Sequence, residues 1–236
     1  MNILALDSSS VTASVAVCKD DVVLAEGFVN NGLTHSQTLL PLVRDTLQKS
    51  GLTISMIDRF AMANGPGSFT GLRIGGSLIK GMAAVDNTSC AGVSTLEALA
   101  FGIREHDGIL CPVMDARCGQ VYHSLYQCLG GVPKRITEDS VIPIDALCDR
   151  LNNLGGHVIL VGDGAVLCYN SMKEKLPDLF LPEGEEIYLK AKSIAQLALH
   201  KNEWVSPDRL APVYLQLPQA ERELKRKRDG IDSIGL

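Results

Sequence analysis

The sequence predicts an α/β fold of two similar halves, each running βββαβα. Three observations carry that prediction. Short apolar runs of strand character give way to runs with helical spacing, and the series occurs twice along the chain. Laying Leu4–Val17 over Pro112–Leu125 superposes Asp7 on Asp115, so an aspartate closes the first strand of each half. Each half also has a strand that runs straight into a glycine turn and then a helix: Arg59–Ala63 into Asn64–Gly76 (NGPGSFTGLRIGG), and Val158–Val161 into Gly162-Asp163-Gly164-Ala165. Residue identity between the halves is slight, so the repeat is one of pattern.

Taken in order, Asn2–Leu6, Ala13–Cys18 and Val22–Val29 are strands, the last two joined by the turn Lys19-Asp20-Asp21. Thr34-His35-Ser36-Gln37 has the pattern of a capping box, and Leu39, Leu40, Val43 and Leu47 recur at helical spacing, giving a helix over Ser36–Ser50 that Gly51 stops. Arg59–Ala63 is the strand that enters the glycine stretch, and a helix follows over Leu72 to about Val85. Cys90–Val93 is a strand, and Ser94-Thr95-Leu96-Glu97 caps a helix to Ile103. In the second half, Gly108–Asp115 and Val121–Cys128 are expected as strands, with a ragged strand near Lys134–Thr137. Helical spacing covers Ile144–Leu151, the strand Val158–Val161 leads into a helix to about Lys175, a loop spans Leu176–Ile187, and a last helix spans Ser193–His200. The boundaries expected are 1–106 for the first lobe, 107–218 for the second, and a charged tail over 219–236, in which Gln219–Arg228 reads as a solvated helix face or end.

Composition narrows the function. The net charge of −5 supplies no global positive field for nucleic acid or anionic membrane. MNILALDSSS lacks a secretion signal and no apolar run reaches membrane-spanning length, so a cytoplasmic protein without membrane contact is expected. The cysteines, odd in number and without a C-x-x-C pair, are expected to be reduced and mostly buried. His35, His106, His123, His157 and His200 never come within the three- or four-residue spacing of a helical metal pair, and no metal site is expected.

The glycine stretch lacks the lysine and spacing of a phosphate-binding P-loop, since Arg73 stands after Gly67 and Gly71, and it lacks the closing glycine that would make Ser68 a nucleophile elbow. Gly65 and Gly67 permit unusual backbone angles, and Gly71, Gly75 and Gly76 leave a small-residue helix face. Such a face admits another backbone, and it is read as a helix packed on a partner's helix, with tight packing inside the chain as the other reading. The expected interface comprises Leu39, Leu40, Val43, Leu47, Gly67, Phe69, Thr70, Gly71, Leu72, Gly75, Gly76, Leu78 and Ile79.

Two halves with aspartate-tipped first strands and glycine turns suggest the duplicated ribonuclease-H-like architecture of the actin, sugar-kinase and Hsp70 superfamily. NGPGSFTGLRIGG, with LALDSS at the N-terminus, VMDARCGQVY at Val113–Tyr122, VGDGA at Val161–Ala165 and PVYLQLPQAE at Pro212–Glu221, resembles the TsaB (YeaZ) family over essentially the whole chain. The resemblance implies a non-catalytic scaffold in the biosynthesis of N6-threonylcarbamoyladenosine on tRNA, docked on a TsaD-type transferase, joined by a TsaE-type ATPase, and meeting tRNA through the complex. It also implies self-association as a homodimer, no cofactor used in catalysis, and ATP or ADP only at an interface of the complex. On the superfamily pattern, Asp7, Ser8, Ser9, Asp115, Arg117, Gly162 and Gly164 mark a vestigial phosphate and nucleotide region, where Arg117 is expected to pair with Asp7 or Asp115. The family often has arginine after PVYL, and Gln216 stands there instead. Two other readings stay open: a stand-alone phosphotransferase built on Asp7 and Asp115, and a metallopeptidase, which the histidine spacing disfavours.

Overall fold

The computed structural model describes residues 1–217 and residue 221. The first sheet contains β1 (Asn2–Asp7), β2 (Ala13–Lys19), β3 (Val22–Val29), β4 (Arg59–Gly65) and β5 (Cys90–Ser94), in the order β3-β2-β1-β4-β5. β1, β2 and β3 form an antiparallel meander, while β4 and β5 run parallel to β1. The alternation of side chains sorts each strand's residues onto two faces. Leu4 and Leu6 with Phe60 and Met62 face one layer, made by α1 (His35–Ser50) and α2 (Phe69–Ala84). Ile3 and Ala5 with Ala61 and Ala63 face the other, which contains α3 (Thr95–Gly102) and α6 (Ala191–Lys201).

The capping signals sit where the sequence puts them. The Thr34 N–H donates to Gln37 Oε1 at 3.4 Å at the start of α1, and Gly51 ends that helix with φ of 72°. Ser94 Oγ accepts the Glu97 N–H at 3.3 Å at the start of α3. The second helix starts earlier than expected, at Phe69, because Ser68 Oγ accepts the Gly71 N–H at 3.2 Å and caps it there.

The second half repeats the plan with differences. Its sheet runs β10 (Ser140–Pro143), β7 (Gln120–His123), β6 (Gly108–Arg117), β11 (Val158–Val161), β12 (Leu179–Phe180), with β8 (Tyr126–Leu129) and β9 (Val132–Arg135) joined to β6 through β8. Val121–Cys128, expected as one strand, is therefore two. β7 pairs with the C-terminal part of β6 and β8 with its N-terminal part. Between them Leu125 leaves the ladder, its N–H donating to Thr137 Oγ1 at 2.9 Å and its carbonyl accepting the Ile136 N–H at 2.7 Å. β10 and the two-residue β12 were not expected, and β12 lies inside the segment read as a loop. α4 (Ile144–Leu154) and α5 (Ala165–Met172) cover the outer face of this sheet through Leu147, Leu151, Cys168 and Met172.

The inner faces of both sheets share one apolar cluster, in which Ile3, Ala61 and Val93 of the first sheet and Leu110, Met114 and Ile159 of the second close over Leu96, Leu99, Ile194 and Ala198. α6 thus packs on the first sheet although it follows the second in sequence, within the span 107–218 expected for the second lobe. The chain then stays with the first half: Val205 bridges to Cys90, and Leu210 is buried beneath α2. Among the described residues no helix is long and apolar enough to cross a membrane. Of the run Gln219–Arg228, only Glu221 lies among the described residues.

Candidate functional site

The strand tips and glycine turns meet at a cleft of about 390 Å³ between the halves, lined in part by Ser9, Ser68, Asp115, Arg117, Asp163 and Tyr214. In the first half, the turn from β4 into α2 folds over the tip of β1. Ser8 Oγ donates to the Gly71 carbonyl at 2.9 Å, and the Ser68 N–H donates to the Ser9 carbonyl at 2.7 Å. A methyl at Gly71 would overlap the Ser8 carbonyl oxygen, and one at Gly75 would overlap the Ser8 hydroxyl. The space left by these glycines is filled by the chain's own β1 tip, and that corrects their reading as clearance for a second protein.

The second half builds the same joint. The turn from β11 into α5 lies against the end of β6, where a methyl at Gly162 would overlap the Val113 carbonyl oxygen and one at Gly164 would come within 3.1 Å of the Asp115 amide. The Asp115 N–H donates to Asp163 Oδ1 at 3.2 Å. Arg117 pairs with Asp115, Nη1 to Oδ2 at 3.0 Å, so of the two partners open to it the structure selects Asp115. Asp7 is fully buried, and burial pushes its carboxyl up to about 6 against the lowering effect of the Ser9 hydroxyl and amide. Asp163 is also raised to about 6, by burial and by the charges of Asp115 and Asp7, although the bond from the Asp115 amide lowers it. Sequence reasoning passed over Asp163 itself; its place between two glycines was the available signal.

The expected interface residues divide by exposure. Leu39, Val43, Gly71, Leu72, Gly75, Gly76 and Ile79 are buried within the chain; Leu47, Gly67, Phe69 and Leu78 are half-buried; Leu40 and Thr70 are exposed. Leu40 is 59% exposed and Leu33, just before α1, is 56% exposed. On α2, Ile74 and Leu78 lie one turn apart and are half-buried, with Arg73 and Ser77 exposed beside them. Among the described residues, no group of three or more His, Cys, Asp or Glu side chains is placed to hold a metal ion. His35 sits at the first position of α1, its Nε2 bonded to the Ser10 carbonyl at 2.8 Å, and His123 is buried in the second half.

The family model described as TsaD: tRNA N6-adenosine threonylcarbamoyltransferase matches residues 31–196. The chain is similar to the tRNA threonylcarbamoyladenosine biosynthesis protein TsaB of Bacillus subtilis, at 31% identity over 94% of this chain and 96% of that one. It is 32% identical to the Escherichia coli protein of the same name, over 96% of this chain and all of that one. The chain belongs to the TsaB family. YeaZ from Pseudomonas aeruginosa superposes on it with a TM-score of 0.74 at 28% identity, covering 91% of this chain and 99% of that one. In each sheet the central strand, β1 or β6, has an antiparallel neighbour on one side, β2 or β7, and a parallel one on the other, β4 or β11, which gives this TsaB family member the duplicated ribonuclease-H-like fold that the sequence predicts.

Proposed function

We propose that the chain acts in the biosynthesis of threonylcarbamoyladenosine on tRNA as a non-catalytic subunit that docks on a TsaD-type transferase through the outer side of α1 and α2. Membership of the TsaB family supports the pathway. The observation that carries the docking surface is the apolar outer side of the α1–α2 layer, with Leu33 and Leu40 largely exposed and Ile74 and Leu78 half-covered. The non-catalytic role is supported by the cleft: the Asp115 carboxylate is engaged by Arg117, and Asp7 lies out of solvent contact.

In this reading a TsaE-type ATPase joins the pair, ATP or ADP is held only where subunits meet, and tRNA is reached through the assembled complex in the cytoplasm. The same apolar layer pairs two copies of the chain when no transferase is present.

Mixing the purified chain with its TsaD-type partner tests the docking. Leu40→Glu and Leu78→Glu should abolish co-elution in gel filtration and lower modification of tRNA, while Leu40→Glu, at an exposed position, shifts stability by no more than about 0.5 kcal/mol. Co-elution that survives both substitutions would place the interface elsewhere. Gly75→Arg is unsuited to this purpose, because the side chain would collide with Ser8 and Leu6 inside the chain.

A further inference from the structure

After α6 the chain crosses the mouth of the cleft, and residues Val213–Leu217 line it together with parts of both halves. On the side of the first sheet, the Val213 N–H donates to the Asn64 carbonyl at 2.7 Å, and the Val213 carbonyl lies so close over Gly65 that a methyl there would overlap it. The Tyr214 ring lies 4.8 Å from that of Phe69, at 35°. Its hydroxyl accepts from Arg73 Nε at 3.3 Å, while the Arg73 guanidinium covers the Phe69 ring at 3.8 Å. On the side of the second sheet, Gln216 Nε2 donates to Gln120 Oε1 at 3.1 Å, at the first residue of β7.

We propose that Val213–Leu217 is an intramolecular ligand, which bridges the two halves across the cleft as a bound small molecule would and fixes the first turn of α2 relative to the β6–β7 hairpin. The contacts are those of a recognised peptide: a backbone hydrogen bond to the glycine turn, one aromatic ring stacked beside a guanidinium, and a side-chain amide pair on the opposite wall. The bridging segment is covalently attached and anchored by Leu210, 3% exposed in the core under α2. Its local concentration at the cleft is therefore on the order of millimolar or higher, whatever solutes are present. The bridged state is the resting condition of this cleft, which keeps its volume of about 390 Å³ with the segment in place. A ligand meant to occupy the same wall would first have to displace Tyr214.

Hydrogen exchange on the full chain, without any partner, tests the bridge and is independent of whether a transferase docks. Gln216→Ala removes the contact with β7 and no core packing, and it is the deciding variant. The bridge predicts roughly tenfold faster exchange at Ser68–Arg73, on the far wall from the substitution. Conversely, Tyr214→Ala, which removes the contacts with Phe69 and Arg73, should speed exchange at Gln120–His123 on the opposite wall. If each substitution speeds only the wall it touches, the segment is ordinary surface packing and the proposal is wrong.

Discussion

At the scale of single residues, the glycines of α2 fall into two kinds that only the structure separates. Gly71 and Gly75 have no room for a side chain, because Ser8 fills it, whereas Gly81 faces open space. Gly71→Ala and Gly75→Ala should each destabilise by about 1–3 kcal/mol, since backbone or strand tip must shift. Gly81→Ala should stabilise by about 0.5–1 kcal/mol through helix propensity alone. Urea denaturation of the three variants reads both signs. Buried titratable groups give a second test. Asp7 goes from an ordinary carboxyl at 3.8 to about 6 on folding, so the folded chain holds the proton more tightly and stability falls as pH rises from about 4 to 6. His123 moves the other way, from 6.5 to about 4, chiefly through burial and then the Arg150 charge, and stability is lost as pH falls through that window. The two trends oppose each other in the parent chain. Asp7→Asn removes the first, and its advantage over the parent should grow from little at pH 4 to as much as about 3 kcal/mol at pH 7, at 1.36 kcal/mol per pKa unit. Thermal unfolding across that range checks it, and a constant difference would show that Asp7 stays ionised throughout.

At the scale of elements, the sequence was most legible where one local signal acts alone. The Thr34-to-Gln37 pattern, Gly51 and the Ser94 cap each involve residues within a few positions of one another, and each lies where its chemistry requires. Ser94 also donates to Asp139 Oδ2 at 2.6 Å, which ties the start of α3 to the second half. Ser94→Ala loses both bonds and should cost about 1–2 kcal/mol, measurable as a lowered midpoint in denaturant. Long-range signals were not legible in this way. The break between β7 and β8 depends on bonds from Leu125 to Ile136 and Thr137, which no pattern inside Val121–Cys128 encodes. The small-residue face of α2 was visible, yet what approaches it was not: a stripe of glycines has the same spacing whether it meets a partner's helix or the chain's own β1 tip. The part of the expected docking face that reaches the surface lies around exposed Leu40 and half-buried Leu78.

At the scale of the whole molecule, duplication of pattern did not produce two independent bodies. The layer between the sheets belongs to both, for Leu96 and Leu99 of α3 and Ile194 and Ala198 of α6 are enclosed by Ile3 and Ala61 on one side and Leu110 and Ile159 on the other. Unfolding should accordingly be a single cooperative transition, with near- and far-ultraviolet circular dichroism coinciding. A fragment of residues 1–106 lacks α6 and leaves Ile3, Ala5, Ala16 and Ala61 uncovered on the inner face of its sheet. It should show no cooperative melt by itself. A sharp melt for that fragment would mean that the outer layer of α1 and α2 suffices.

The position of α6 also bears on the order in which the protein is made. The first sheet is complete in sequence at Ser94 and α3 follows at once, but α6, the helix that covers β1 and β2 on the inner face, begins at Ala191. At translation rates of roughly 5–20 residues per second, that delay is on the order of 5–20 s. Throughout it the β1–β2 part of that apolar face lacks its cover, in a window when chaperones, or a premature encounter with another nascent chain, can claim it.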